Sequence, residues 1–263
     1  NISAKRLSIP EFPKKYFYEA LEILLNLDKE WIIPGIGNSL YIRPFIFANQ
    51  AGVQASPANK YKFLIICTPV KAYYSKNVNV LIAEKYSRAA NGGVGFAKAA
   101  GNYAAQFYPT SLAQKKGYEQ IIWTDANNHE YLEEAGTMNI FFRIGDNLIT
   151  APNNDRILDG VTRKSIIDLC KYLKINIEIR PISVKELLSA YNDKSLKEIF
   201  GSGTAVVILP IKSFNLKNVH YNLIENKDPL SELLKKKIMD IQYNIEKDPF
   251  NWRYKVPKLT FSK

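Results

Sequence analysis

The chain has 263 residues, of which 46% are hydrophobic and 23% charged. That length allows one large or two modest domains, and the composition can bury a core and excludes a disordered chain. The formal net charge of +11 raises nucleic acid as a partner. The basic residues are scattered, however, and no aromatic-basic motif accompanies them. The densest run, Lys235-Lys236-Lys237, falls in a predicted amphipathic helix. A solvated face is the simpler reading, with a mild attraction for small anions, so no nucleic-acid partner is expected.

No stretch of about 18 apolar residues is present, so no membrane span is expected. No signal peptide opens the chain, and Asn1 is not an initiator methionine. The stretch is therefore expected to begin inside a longer protein. Cys67 and Cys170 each sit in an apolar run. Buried free thiols are expected, which fits a reducing, cytoplasmic setting. His129 and His220 lie far apart without cysteine partners, so no metal site is expected.

In chain order, Phe12 to Trp31 is predicted as a helix, with Phe17, Ala20, Leu21, Leu24 and Leu25 at helical spacing and Pro13 in the first turn. Ser39–Ala48, Lys62–Val70 and Val78–Ala83 are apolar, aromatic and β-branched, and predict strands. The polar stretch from Lys71 to Asn77 is the expected boundary. It divides a small domain over 1–70 from a larger one over 78–263. A helix follows Tyr103 to Lys116, with Pro109 kinking or breaking it. Tyr118–Thr124 predicts a strand, and Met138–Arg143 with Asn147–Thr150 predict a hairpin around Gly145-Asp146. Thr162–Leu173 predicts an amphipathic helix and Ile175–Ile182 a strand. Ser183 and Glu186 form a capping box for the next helix. Val206–Leu209 predicts a short strand, and Asp228-Pro229 opens a last helix to about Glu246. Strands and helices mix without regular alternation, so the fold class is α+β.

Five runs could carry chemistry. In Gly92-Gly93-Val94-Gly95-Phe96-Ala97-Lys98-Ala99-Ala100-Gly101-Asn102-Tyr103, a lysine stands among residues too small to shield it. That setting suits a nucleophilic amine meeting a flat electrophile, and points to a Schiff base with pyridoxal phosphate. A solvated loop lysine is the commoner reading of such a run. Glu133-Glu134-Ala135-Gly136-Thr137-Met138-Asn139 places carboxylates before a strand, where one could keep a pyridine nitrogen protonated or simply face solvent. Phe200-Gly201-Ser202-Gly203-Thr204-Ala205 is either a phosphate cup or a tight turn. Leu158-Asp159-Gly160-Val161-Thr162-Arg163 opens a helix, whose free N–H groups could hold phosphate. On Asn38-Ser39-Leu40-Tyr41-Ile42-Arg43-Pro44, Tyr41 and Arg43 share a strand face and could hold a carboxylate or be a surface pair.

Taken together and in this order, the five runs closely resemble the branched-chain amino acid aminotransferases, pyridoxal phosphate enzymes of fold type IV. The resemblance runs from about Arg6 to about Val256. It implies a small α/β domain, an interdomain loop over 71–77 and a larger β-barrel-like domain with flanking helices. It also implies that relatives carry a preceding segment with an arginine that grips the cofactor phosphate. By this resemblance Lys98 carries the cofactor as a Schiff base and moves the proton between substrate and cofactor. Tyr103 bonds the ring 3′ oxygen, and Glu134 pairs with the pyridine nitrogen. The Val161 and Thr162 amides and the Thr204 hydroxyl hold the phosphate. Thr137 and Ala205 recognise the substrate carboxylate. Tyr41 and Arg43 line the side-chain pocket, with Arg43 taking the distal carboxylate of glutamate, and Ala72-Tyr73-Tyr74 closes over the substrate. The implied reaction moves the amino group of L-leucine, isoleucine or valine to 2-oxoglutarate, giving glutamate, in a homodimer. The alternatives are a D-amino acid aminotransferase or aminodeoxychorismate lyase of the same fold, or a truncated relative without catalysis. Tyr41-Ile42-Arg43 and Gly136-Thr137-Met138-Asn139 favour the first reading.

Overall fold

A computed structural model describes residues 1–71 and 78–260. The expected closing residues Ala72-Tyr73-Tyr74 lie outside the described residues. The chain divides into two compact units, one holding residues 1–71 and 242–260 and the other 78–241.

The first unit opens with α1 (Ile2–Arg6) and α2 (Lys14–Leu27), and a 3₁₀ turn over Lys29–Trp31 follows. The single helix predicted over 12–31 is thus shorter and ends in a tighter turn. β1 (Ser39–Ala48) and β2 (Tyr61–Val70) pair antiparallel along their whole length. Phe12 stacks on Phe63 at 3.9 Å between ring centroids and Phe17 meets the same ring edge-on at 6.1 Å. These rings seat the α2 side on one face of the hairpin.

Residues 242–260 pack with this unit, whereas the sequence assigns them to the larger domain. The Tyr243 hydroxyl donates to the Asn38 carbonyl at 2.9 Å. The Asn26 side chain donates to the Pro257 carbonyl at 2.9 Å and accepts from the Leu259 amide at 3.1 Å. These partners lie more than two hundred residues away in the chain, a pairing that local patterning cannot reveal.

The second unit runs β3 (Val78–Ile82), α3 (Ala100–Lys115), β4 (Gln120–Thr124), β5 (Leu132–Ala135), β6 (Met138–Ile144) and β7 (Asn147–Thr150). It continues with α4 (Val161–Tyr172), β8 (Ile177–Ile179), α5 (Val184–Asn192), β9 (Leu196–Gly203), β10 (Val207–Leu216), β11 (Val219–Asn222) and α6 (Leu230–Gln242). Six strands close a ring of ladders: β10 to β3, β4, β5, β6, β9 and back to β10. This is the β-barrel-like body the resemblance implies, and the mixed α+β class holds. β3 and β4 are parallel, so the chain needs a crossover between them. α3 supplies it and thereby carries the Lys98 loop along the barrel.

Alternation along the strands sorts the two faces. Ala135, Met138, Ile140, Phe142 and Ile199 belong to the hydrophobic core cluster. Glu134, Asn139 and Ser202 are directly opposite one another across β5, β6 and β9. They therefore share the other face.

Several boundaries differ from expectation. α3 continues through Pro109. The carbonyl that loses its partner is that of Ala105, an exposed residue. The strand predicted over 175–182 is cut to Ile177–Ile179. β10 is ten residues long rather than four. Ser183 caps α5 as predicted, with the Glu186 amide donating to its Oγ at 3.0 Å, while the Glu186 carboxylate is taken by Arg180 at 2.8 Å. Cys170 is buried, but Cys67 is only half-buried. Among the described residues, no helix is long and apolar enough to cross a membrane.

Candidate active site

Lys98 stands in the loop that leads into α3, exposed between buried Ala97 and Ala99. The loop is pinned from the first turn of α3. Asn102 Nδ2 donates to the Val94 carbonyl at 2.7 Å and to the Ala97 carbonyl at 2.8 Å. Lys98 Nζ lies 5.5 Å from the centroid of the Tyr103 ring. Gly95 lets the loop lie against its neighbours. A Cβ there would meet Ala89 Cβ at 2.5 Å and the Arg156 backbone at 2.7 Å.

Lys98 and Tyr103 share one cleft with Glu134, Thr137, Arg88 and Leu158. The cleft is open at its mouth and spans about 310 Å³ of space, solvent at the opening included. Thr137 is exposed and follows Gly136, whose φ of 57° suits a glycine in the β5–β6 turn.

Glu134 is 3% exposed. Its Oε2 pairs with Arg88 Nη2 at 2.7 Å. Its Oε1 accepts from the Leu158 amide at 2.9 Å and from Asn139 Nδ2 at 3.2 Å. Burial is the largest influence and pushes its pKa up to about 7, against the pull of Arg88. Neighbouring Glu133 is held by Arg156. Burial also raises the Glu133 pKa, partly offset by the Arg156 bond. The two adjacent carboxylates are thus each given an arginine, but only Glu134 reaches the cleft wall described above.

Val161 and Thr162 form the first turn of α4, three and four residues after cleft-lining Leu158. Val161 is exposed and Thr162 buried. Arg163 in the same turn is 3% exposed and donates to the Ala151 carbonyl at 2.7 Å. Its Nε finds no hydrogen-bond partner among the described residues. Burial lowers its pKa, while Asp159 and Glu134 act in the opposite sense.

Thr204 and Ala205 are exposed in the turn between β9 and β10. Of the run Phe200–Ala205, predicted as turn or cup, Phe200–Gly203 is the end of β9 and Thr204-Ala205 make the turn. Gly201 is needed there because a Cβ would meet the Met138 side chain at 2.8 Å. The turn closes on a bond from the Val206 amide to the Gly203 carbonyl at 3.3 Å. It enters β10 at Val207 with φ 59°, an uncommon conformation for a β-branched residue.

Tyr41 and Arg43 belong to β1 of the first unit. Arg43 Nη2 donates to the Tyr41 hydroxyl at 3.2 Å, with the guanidinium 5.1 Å from the ring centroid. The structure thus brings Lys98, Tyr103, Glu134 and Thr137 to one cleft. It places Val161 and Thr162 on the adjoining helix, Thr204 and Ala205 on the β9–β10 turn, and Tyr41 and Arg43 on the other unit.

Sequence patterning missed Arg88, Asn102 and Asn139. Arg88 lies ten residues before Lys98 with no motif around it, so no local signal marks it. Asn102 and Asn139 stand inside two of the singled-out runs, and a polar residue amid small or apolar ones was their only cue.

The family model described as "Amino-transferase class IV" matches residues 2–214. The chain belongs to the class IV aminotransferases. It is 40% identical, over 98% of its own length and 74% of the relative's, to a probable branched-chain-amino-acid aminotransferase of Staphylococcus epidermidis. The Escherichia coli branched-chain amino acid aminotransferase superposes with a TM-score of 0.78 at 26% identity, covering 97% of this chain and 80% of that one. The branched-chain amino acid aminotransferase of Thermobaculum terrenum, in its PLP form, gives 0.74 at 20% identity, covering 93% and 76%. That last likeness shows that this class IV aminotransferase shares the fold.

Proposed function

We propose that this class IV aminotransferase uses pyridoxal 5′-phosphate to move the amino group of L-leucine, isoleucine or valine to 2-oxoglutarate, with Lys98 as the catalytic amine. The observation that carries the proposal is the meeting of Lys98, Tyr103, Glu134 and Thr137 in one cleft. The 40% identity to a branched-chain-amino-acid aminotransferase supports the substrate class.

The donor set fits the cofactor. A buried carboxylate suits a pyridine nitrogen, and a phenol suits the ring oxygen. The first turn of α4 offers unpaired N–H groups to a phosphate, as helix N-termini do. Buried Arg163, with its unpartnered Nε, adds positive charge to that turn. When bound, pyridoxal phosphate supplies a carbonyl carbon that accepts the amino group and a ring that draws electrons from the substrate α-carbon.

The rest falls to the chain's own residues. Lys98 would hold the cofactor through Nζ, and its free amine would take the substrate α-proton and give it back. Tyr103 orients the ring through its hydroxyl, and Glu134 holds the proton on the ring nitrogen. The Val161 and Thr162 amides and the Thr204 hydroxyl hold the phosphate. Thr137 and Ala205 orient the α-carboxylate. Tyr41 and Arg43 form the side-chain pocket, where Arg43 binds the distal carboxylate of glutamate and 2-oxoglutarate.

We assign the working form to a cytoplasmic homodimer. Two free cysteines suit a reducing compartment. Phe107 and Tyr108, 68% and 63% exposed on α3, offer apolar area for a second copy.

Spectroscopy with pyridoxal phosphate tests the proposal. The wild-type protein should show a visible band that shifts on adding L-leucine, and Lys98→Ala should lose both band and turnover. A wild-type protein with no band, or one that responds to D-alanine alone, would overturn it.

A further inference from the structure

Asn139 sits 5% exposed at a junction. Its amide nitrogen carries two hydrogens, and each has an acceptor. One goes to Glu134 Oε1 at 3.2 Å and the other to the Leu158 carbonyl at 2.8 Å. The Leu158 amide in turn donates to the same Glu134 oxygen at 2.9 Å. The Gly160 amide then donates back to the Leu158 carbonyl at 2.8 Å. A closed set of bonds therefore joins β5, β6 and the backbone that leads into α4.

Gly160 gives a second, independent sign. Its φ of −67° and ψ of 135° are open to any residue, so backbone freedom does not explain the glycine. Space does. A Cβ at Gly160 would stand 2.0 Å from Asn139 Oδ1 and 3.2 Å from Asn139 Cγ. The first turn of α4 is thus seated directly on the Asn139 amide. Register adds a third sign, because Asn139 lies opposite Glu134 on β5 and opposite Ser202 on β9.

We infer that Asn139 is a positioning residue: one amide fixes the Glu134 carboxylate and the opening of α4 at a set separation. This rests on the proposed function, in which those two elements receive the ring nitrogen and the phosphate of one rigid molecule. A shift of either would then weaken the grip on both ends, since bound geometry depends on preorganised partners. Asn139 touches neither the cofactor nor the substrate in this role.

Two measurements test the inference. The first is the Kd for pyridoxal phosphate in wild type, Asn139→Ala, Asn139→Asp, Glu134→Gln and the Asn139→Ala/Glu134→Gln double variant. Asn139→Ala should weaken binding about tenfold, the scale of a lost hydrogen bond to a charged group. Asn139→Asp keeps the shape, removes both donors and sets a carboxylate beside Glu134, so it should weaken binding more. In the Glu134→Gln background the Asn139→Ala effect should shrink to about twofold, because coupled residues are not additive. Equal factors in both backgrounds would overturn the positioning role.

The second is amide hydrogen exchange over residues 152–160 in the protein without added cofactor. Asn139→Ala should speed it by about tenfold as the Leu158 bonds loosen, while exchange in α5 stays unchanged. Unaltered exchange over 152–160 would overturn the inference even if the proposed function stands. A wild type that ignores pyridoxal phosphate would overturn the proposed function, and the exchange result would still decide the role of Asn139.

Discussion

Arg88 and Glu134 form an ion pair 2.7 Å long, with side chains only 6% and 4% exposed. Arg88 also donates to the Gly95 carbonyl at 3.3 Å. One guanidinium therefore ties the loop before Lys98 to the carboxylate that stands in the same cleft. Removing the cation leaves a buried carboxylate without its partner, which costs about 3–5 kcal/mol in comparable cases. Arg88→Met should lower unfolding stability by about 3 kcal/mol, and the Arg88→Met/Glu134→Gln double variant should recover part of that loss. Denaturant unfolding measures it; a double variant no better than Arg88→Met would sink the pairing as the cause.

Glu134 makes stability depend on pH. Its folded pKa of about 7 lies above the ordinary 4.5. Below about pH 4.5 the carboxyl is protonated whether the chain is folded or not. Between these values the unfolded chain ionises while the folded one stays protonated, so stability falls as pH rises through about 7. The total is about 3 kcal/mol at most, from the size of the shift. Glu134→Gln lacks this slope. The stability difference, wild type minus Glu134→Gln, should shrink by up to about 3 kcal/mol from pH 4.5 to pH 8. A flat difference across that range would refute the raised pKa.

Two glycines near Lys98 should respond oppositely to alanine. At Gly95 a Cβ meets Ala89 and the Arg156 backbone at 2.5–2.7 Å, so Gly95→Ala should destabilise by about 1–3 kcal/mol through overpacking. At Gly101, inside α3, a Cβ meets nothing within 4 Å. Gly101→Ala should stabilise by about 0.5–1 kcal/mol from helix propensity and lost chain entropy. Thermal unfolding of the two variants decides. Equal shifts of one sign would show that Ala89 and Arg156 do not constrain Gly95.

Arg43 separates the two classes of substrate. In the proposed role it meets the distal carboxylate of 2-oxoglutarate but no charged group of leucine. Arg43→Ala should raise the KM for 2-oxoglutarate about tenfold or more, the scale of a lost charge-assisted bond. The KM for L-leucine should change by less than about threefold. Steady-state kinetics with each substrate varied in turn gives the comparison, and equal rises would remove Arg43 from that role.

Much of the small unit was legible in sequence. Ser39–Ala48 is a strand over the predicted span, because Tyr41, Ile42, Phe45, Ile46 and Phe47 favour strand on both sides of Arg43-Pro44. The Ser183 cap and the Gly145 turn were legible for the same local reason. β5 was not. Leu132-Glu133-Glu134-Ala135 carries two adjacent charges and reads as surface, yet all four residues are buried. It is a strand because β4 and β6 flank it and Arg156 and Arg88 answer its charges. The end of β9 was hidden likewise, since Gly201-Ser202-Gly203 has turn composition but pairs with β6 and β10.

By itself the sequence determined the chemical inventory: a lysine among small residues, a tyrosine five positions on, a carboxylate before Ala135-Gly136-Thr137, and a glycine opening a helix. Those features are local, because they depend on residue type and short spacing. Only the tertiary structure decided that Arg88 stands behind Glu134 and that Asn139 joins it to α4. It also decided that residues 242–260 pack with the first unit. These relations link strands distant in the chain. Burial and ladder register set them, and neither is written in any single window of residues.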